Sequence, residues 1–187
     1  GYPIMTNVDR SYRIGAELSA GFVPADFLSW KLNLTLSRNK IRDFVEHYVD
    51  YNTTDWSSEY KSRNLGNVDI AYSPRVTGTS DFALKPISKA DIHLITKYVG
   101  RQYFDNTMSG ERMLDHYLVN NIIVGFTPGI KNIRKVEIQA IVNNIFNTEY
   151  ENNAYGGNWY EDGKEKTWAY YFPQAGINFM FKLGFTF

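Results

Sequence analysis

Three histidines, His47, His93 and His116, are the first residues to test for chemistry, because imidazole is the commonest metal ligand and a general base near neutral pH. Their spacing supports neither role. No pair has the separation of a metal motif, and the chain has no Cys, which removes thiolate nucleophiles, disulfides and Cys-based zinc sites together. His93 lies with Asp91 and Lys97 on the polar side of an alternating segment, His116 follows Asp115 where another begins, and His47 falls in a long connection. Hydrolytic sites need a nucleophile, a His and an acid; the nearest set, Ser109-Gly110-Glu111 with His116, has no catalytic spacing. "YGGN" at 155–158 lacks the strand-to-helix setting of a phosphate cradle and reads as a turn. The expectation is a protein that is not an enzyme and uses no metal or cofactor.

The remaining chemistry is aromatic. The chain carries 14 Tyr, 12 Phe and 4 Trp. Many cluster in two stretches, with Tyr48, Tyr51, Trp56 and Tyr60 in 40–72, and Tyr150, Tyr155, Trp159, Tyr160, Trp168, Tyr170 and Tyr171 in 146–172. Exposed aromatic clusters suit flat ligands such as sugar rings, siderophore catechols or corrins. Trp56, Tyr60, Tyr155, Trp159 and Tyr160 are therefore the candidate ligand-binding residues. Trp168, Tyr170 and Tyr171 also fit a belt of aromatics where a strand enters a membrane.

The elements that position these residues show a period of two. In 11–22, Tyr12, Ile14, Ala16, Leu18, Ala20 and Phe22 share one face, with Arg13, Glu17 and small residues on the other. In 26–39, Leu28, Trp30, Leu32, Leu34 and Leu36 oppose Lys31, Asn33 and Thr35. Similar segments are predicted at 73–86, 90–101, 115–127 and 132–145. In the last of these, Lys135, Glu137 and Gln139 face away from Val136, Ile138, Ala140 and Val142. A charge facing lipid costs up to about 2–4 kcal/mol at the midplane, so the aliphatic face is read as outward. In 115–127, Leu118, Ile122, Val124 and Phe126 are read as outward, with Asn120 an awkward member. The closing segment, about 174–187, places Ile177, Phe179, Phe181, Leu183, Phe185 and Phe187 on one face.

Seven long strands result, joined alternately by short and long connections. The short ones, 23–25, 86–89 and 128–131, each contain Pro, which pre-sets a turn. The long ones span about 40–72, 102–114 and 146–172. This alternation is the signature of an up-and-down membrane barrel, with tight turns on one side and long loops on the other. Strands near 12 residues are long enough to cross a bilayer when tilted. No window approaches the roughly 18 apolar residues of a membrane helix, and 20 basic against 20 acidic residues give no argument for nucleic acid. An open seven-stranded sheet would leave two unpaired edges in hydrocarbon, at several kcal/mol per unsatisfied group. The segment is therefore expected to be part of a larger barrel, with outer-membrane lipid and upstream strands as partners.

Three stretches carry a resemblance. "AIVNNIFNTEY" (140–150) resembles the penultimate-strand motif of TonB-dependent outer-membrane receptors, matched at Asn144, Ile145, Phe146 and Tyr150. "KYVGRQYFDNT" (97–107) resembles the strand-to-loop passage of these receptors in Bacteroidetes-like bacteria, and "YYFPQAGINFMFKLGFTF" (170–187) their closing strand. The resemblance implies that residues 1–187 are the C-terminal part of a 22-strand barrel in the outer membrane of a Gram-negative bacterium. The plug domain and signal peptide then lie outside this chain, and Phe185 and Phe187 form the signal read by the barrel assembly machinery. It implies active uptake of a scarce nutrient (siderophore, cobalamin or glycan class), powered by the TonB complex through N-terminal parts of the receptor. Inward residues such as Arg13, Glu17, Lys31, Asp81 and Lys97 would face the plug. The competing readings are a smaller porin or barrel enzyme, and a soluble all-β binding domain.

Overall fold

The structure is a computed structural model and describes residues 7–187. Among these there are twelve strands and no helix: β1 Ser11–Ala25, β2 Leu28–Tyr51, β3 Ser58–Asp69, β4 Val76–Ile87, β5 Ala90–Val99, β6 Gln102–Tyr103, β7 Met113–Leu114, β8 Tyr117–Phe126, β9 Lys135–Asn143, β10 Glu151–Glu161, β11 Lys164–Pro173 and β12 Asn178–Thr186. The seven expected strands are all present, as β1, the lower half of β2, β4, β5, β8, β9 and β12. They pair antiparallel in that order as a meander. The fold is all-β, a partial up-and-down barrel.

Register turns the period-two pattern into two distinct faces. Phe22 pairs with Trp30, Trp30 with Phe82, Phe82 with Leu94, Leu94 with Ile122, Ile122 with Val142 and Val142 with Phe179. Such rows repeat up the sheet, and because side chains alternate strictly across a strand, one face is almost wholly apolar. Its members Leu18, Trp30, Phe82, Leu94, Phe179 and Phe181 are all exposed, as a lipid-facing wall requires. Asn120 does lie on this face. It is buried there, and Thr96 of the neighbouring strand donates to its carbonyl oxygen at 2.6 Å. The opposite face carries polar pairs such as Ser19–Asn33 at 2.8 Å, Asn33–Thr79 at 3.3 Å and His93–Asp81 at 2.7 Å.

Two of the three short turns are tighter than their prolines suggested, and the third, expected at 128–131, is longer, with residues 127–134 between β8 and β9. β1 and β2 are separated by Asp26-Phe27 alone, and β4 and β5 by Ser88-Lys89. Pro24 and Pro86 sit inside the register irregularities at Phe22/Ala25 and Leu84/Ile87. A residue without an N–H is tolerated there because the ladder is already interrupted.

The long connections are the correction. Segments 40–72 and 146–172, expected as loops, are mostly strand. β2 continues for 24 residues and pairs above the membrane segment with β3, while β10 and β11 form a second hairpin. Between Ile41 and Phe44, β2 carries one residue more than β3, with Asp43 at φ 51°. This bulge reverses the alternation. Below it the odd residues of β2 share the polar inner face; above it Glu46, Tyr48 and Asp50 take over that side. β1 and β12 each have one edge with no partner strand among the described residues.

The face assignment is testable at adjacent residues of β5. Leu94→Arg, on the apolar face, should cost about 2–4 kcal/mol of folding stability in bilayers. Ile95→Arg, whose register partners are Asp81 and Asn121 on the inner face, should cost less than half of that. A larger loss for Ile95→Arg in a urea titration of the full-length protein in lipid vesicles would reverse the two faces.

Candidate functional site

The β10–β11 hairpin shapes the upper end of the sheet. Its turn is Asp162-Gly163, with φ of 51° and 73°, the left-handed pair that a two-residue hairpin loop of the I′ type requires. An Asp-Gly step between alternating segments is a strong short-range hairpin signal, so this element was legible and was missed. The tip is anchored at three points. The Gly163 N–H donates to Asp50 at 3.0 Å, the Asp162 N–H to the Tyr51 carbonyl at 3.0 Å, and the Thr53 N–H to Asp162 at 3.1 Å. Tyr160 and Glu161 pair parallel with Asp50 and Tyr51.

The hairpin's outward side packs on the other long connections through a network of charges. Arg112, between β6 and β7, is 0% exposed. Its Nε meets Asp105, its Nη1 lies 3.0 Å from Glu165, and its Nη2 donates to Thr107 at 2.7 Å. Glu165 also takes Arg63 at 3.0 Å and Asn158 at 2.9 Å. Glu46 takes Arg63 at 2.6 Å and the same Asn158 amide at 2.9 Å. Three carboxylates are thus threaded by two guanidiniums and an amide, which is how ions survive burial. Phe104, Leu114 and Ala154 fill the space beneath. Burial alone pushes the Glu165 carboxyl up; the hydrogen bonds from Arg112, Arg63 and Asn158 outweigh it and hold the group below the usual carboxylate range.

The five predicted contact residues are not brought together. Tyr160 is 4% exposed, its ring 3.9 Å from that of Tyr48 and beneath the Arg63 guanidinium at 5.4 Å. Its hydroxyl lies beside Glu165 without reaching hydrogen-bond geometry, and burial first, then the charge of Glu46, pushes this phenol up. Tyr60 is 87% exposed but pairs with Val49, on the side of the β2–β3 hairpin opposite Tyr48 and Glu46. Trp56 occupies the tip of that hairpin with φ 59°. Tyr155 and Trp159 alone share a surface.

That surface is the inner side of the β10–β11 hairpin. Counting back by twos from Gln174 gives Phe172, Tyr170 and Trp168, all exposed. Gln174 itself lines a hollow of about 330 Å³ with Lys97, Asn121, Asn143 and Asn178 of the polar inner face. The aromatic rings are therefore on the inner side too, above that hollow. Tyr155 sits at the centre of the group, with ring centroids 5.7 Å from Trp168, 5.4 Å from Tyr170 and 5.7 Å from Phe172. Gly157 lets Trp168 lie flat across the hairpin, since a Cβ there would fall 3.2 Å from the indole nitrogen. The arrangement can stack planar or ring-shaped molecules; it offers no nucleophile or base. Trp168, Tyr170 and Phe172 were absent from the predicted set, although the alternation of 164–173 places them on one side.

No family model matches the sequence, and no curated protein matches it significantly. Solved structures do resemble it. The ferric yersiniabactin uptake receptor FyuA from Yersinia pestis aligns over 94% of this chain and 24% of its own, with 18% identity and a TM-score of 0.54. The ferric-catecholate import receptor Fiu from K12 E. coli aligns over 98% of this chain and 29% of its own, at 14% identity and a TM-score of 0.46. This chain thus spans about a quarter of the length of the receptors it resembles. The fold is that of the wall of an outer-membrane receptor barrel.

Two outcomes follow for the charge network. Arg112→Ala leaves Asp105 without its cation and Glu165 with Arg63 and Asn158 alone, and should loosen the β10–β11 hairpin by about 3–5 kcal/mol. Proteolysis within 151–173 should then rise in the full-length protein while the membrane strands stay protected. Acid should do the same. The Glu165 and Asp50 carboxyls are held low in the folded state, Asp50 by Lys61 and the Gly163 N–H. Their stabilisation is complete above the usual carboxylate value of about 4 and is lost as pH falls through the lower folded values. Hairpin protection that is flat down to pH 3 would contradict this.

Proposed function

We propose that this chain is part of the wall of a closed outer-membrane barrel that takes up a scarce nutrient of the siderophore, cobalamin or glycan class, with energy from the TonB system. The observation that carries the reading is a seven-strand apolar wall whose outer connections fold back over the inner face and present an aromatic surface there. A soluble domain has no use for a wall of exposed Leu, Phe and Trp. The two unpartnered edges support closure by further strands, and the resemblance of 97–107, 140–150 and 170–187 supports a TonB-dependent receptor of the Bacteroidetes-like kind.

The inner face also weighs against an open porin. Ile123 pairs with Ile141, and Ile141 with Met180, giving an apolar patch on the side that a water-filled channel keeps polar. Such a patch is better served by a plug domain packed in the lumen. Tyr155 and Trp159 are the predicted residues that this reading retains as ligand contacts. Phe185 and Phe187 continue the outer apolar face and are proposed as the signal for the assembly machinery.

An immunoblot of the source organism's outer-membrane fraction tests the reading. The expected result is a heat-modifiable band several times larger than 21.6 kDa. Uptake of the receptor's nutrient should also stop when the TonB system is disabled. A band at about 21.6 kDa confined to the soluble fraction would sink the proposal. Phe187→Ala should lower the amount of folded receptor without changing its melting behaviour once assembled.

A further inference from the structure

The aromatic surface and the hollow below it form one continuous strip, and their chemistry is specific. The rings of Trp168, Tyr170, Tyr155 and Phe172 lead down β11 to Gln174, which opens onto the hollow. Carboxamides dominate its lining: Asn121, Asn143, Asn144, Asn152, Asn178 and Gln174. Asn144 is spent on structure, its amide donating to the Thr148 and Ala175 carbonyls. Asn143 donates to Asn178 at 2.9 Å, which leaves the Asn143 carbonyl oxygen free among the described residues, as are the Asn121 amide nitrogen and the Asn152 side chain. Each such group offers a donor or an acceptor without charge. One cation, Lys97, and no carboxylate line the hollow.

Resting on the receptor reading above, we propose that this strip binds a neutral oligosaccharide. A pyranose ring has apolar C–H faces, which stack on aromatic rings, and a rim of hydroxyls that both donate and accept. Rings in series followed by uncharged amides match that alternation. A ferric tris-catecholate is multiply anionic and calls for several cations at close range, and a single lysine does not supply them. A hollow of about 330 Å³ is at the lower end of the roughly 300–1,000 Å³ of small-molecule sites, so the chain's reducing or terminal sugar enters it while neighbouring sugars lie along the rings.

The test uses the full receptor in detergent, with three probes: an equimolar set of neutral hexasaccharides (malto-, cello-, xylo- and manno-), a ferric tris-catecholate, and cyanocobalamin. Binding is read by calorimetry and by tryptophan fluorescence. The variants are Tyr170→Ala, which removes an exposed ring, and Gln174→Ala, at the junction with the hollow. Heat-modifiable migration shows that each is folded. The expected result is binding of at least one hexasaccharide, weakened about tenfold or more by either variant, with a fluorescence change from Trp168. Binding of the chelate or of cobalamin, weakened by the same variants, with no hexasaccharide bound, would overturn the sugar assignment and keep the receptor. Hexasaccharide binding unaffected by both variants would move the site elsewhere and overturn it as well. No binding of any probe, together with no TonB-dependent uptake, would remove both readings.

Discussion

A backbone crossing hydrocarbon has no water to satisfy its N–H and C=O groups, and this constraint shapes the rest of the molecule. It forces the chain into a hydrogen-bonded meander, and the meander forces strict alternation of side chains. Alternation then separates an apolar wall from a polar one without any core. The buried residues of this chain are accordingly few; they gather in the upper connections, where Ile41, Val68, Phe104, Leu114 and Ala154 are packed, and at the upper ends of β5 and β8, where Val99, Tyr117 and Val119 form a cluster. The wall is ordered by its ladders and by lipid, whereas the upper part is ordered by packing and charge.

That division explains which parts were legible in the sequence. The seven membrane strands follow from alternation alone, and even the arbitration of 132–145 came out as the cost of a charge in lipid demands. Asn120 looked like an error on the outer face. It is there, satisfied by Thr96 across the ladder. The upper connections were illegible by the same method because their strands have both faces in use. In β10 and β11 one side meets Arg112, Phe104 and Glu46, and the other carries aromatic rings, so neither reads as cleanly apolar or polar. Tyr160 shows the consequence for site prediction. Its type and position equal those of Trp159, yet one residue of phase puts it under Arg63 with its ring buried.

The charge network has a role that its ion pairs alone do not reveal. Arg112 belongs to one connection, Arg63 and Glu46 to a second, Glu165 and Asn158 to a third. Each partner would be costly to bury alone, so the three connections are stable in this arrangement only as a set. The aromatic surface is therefore held by a rigid backing and not by a mobile loop, which is what a stacking site needs to keep its rings aligned.

The extra residue at Asp43 has a consequence for how such a chain can change. Below it, any single insertion would turn leucines toward water and is forbidden. Above it, the phase is set afresh. The bulge thus works as a joint between two grammars, one dictated by the bilayer and one by whatever the mouth must hold. Segments beyond the joint can be lengthened, exchanged or borrowed without changing the phase of the wall, whereas a one-residue deletion at the joint would turn the upper half of β2 over.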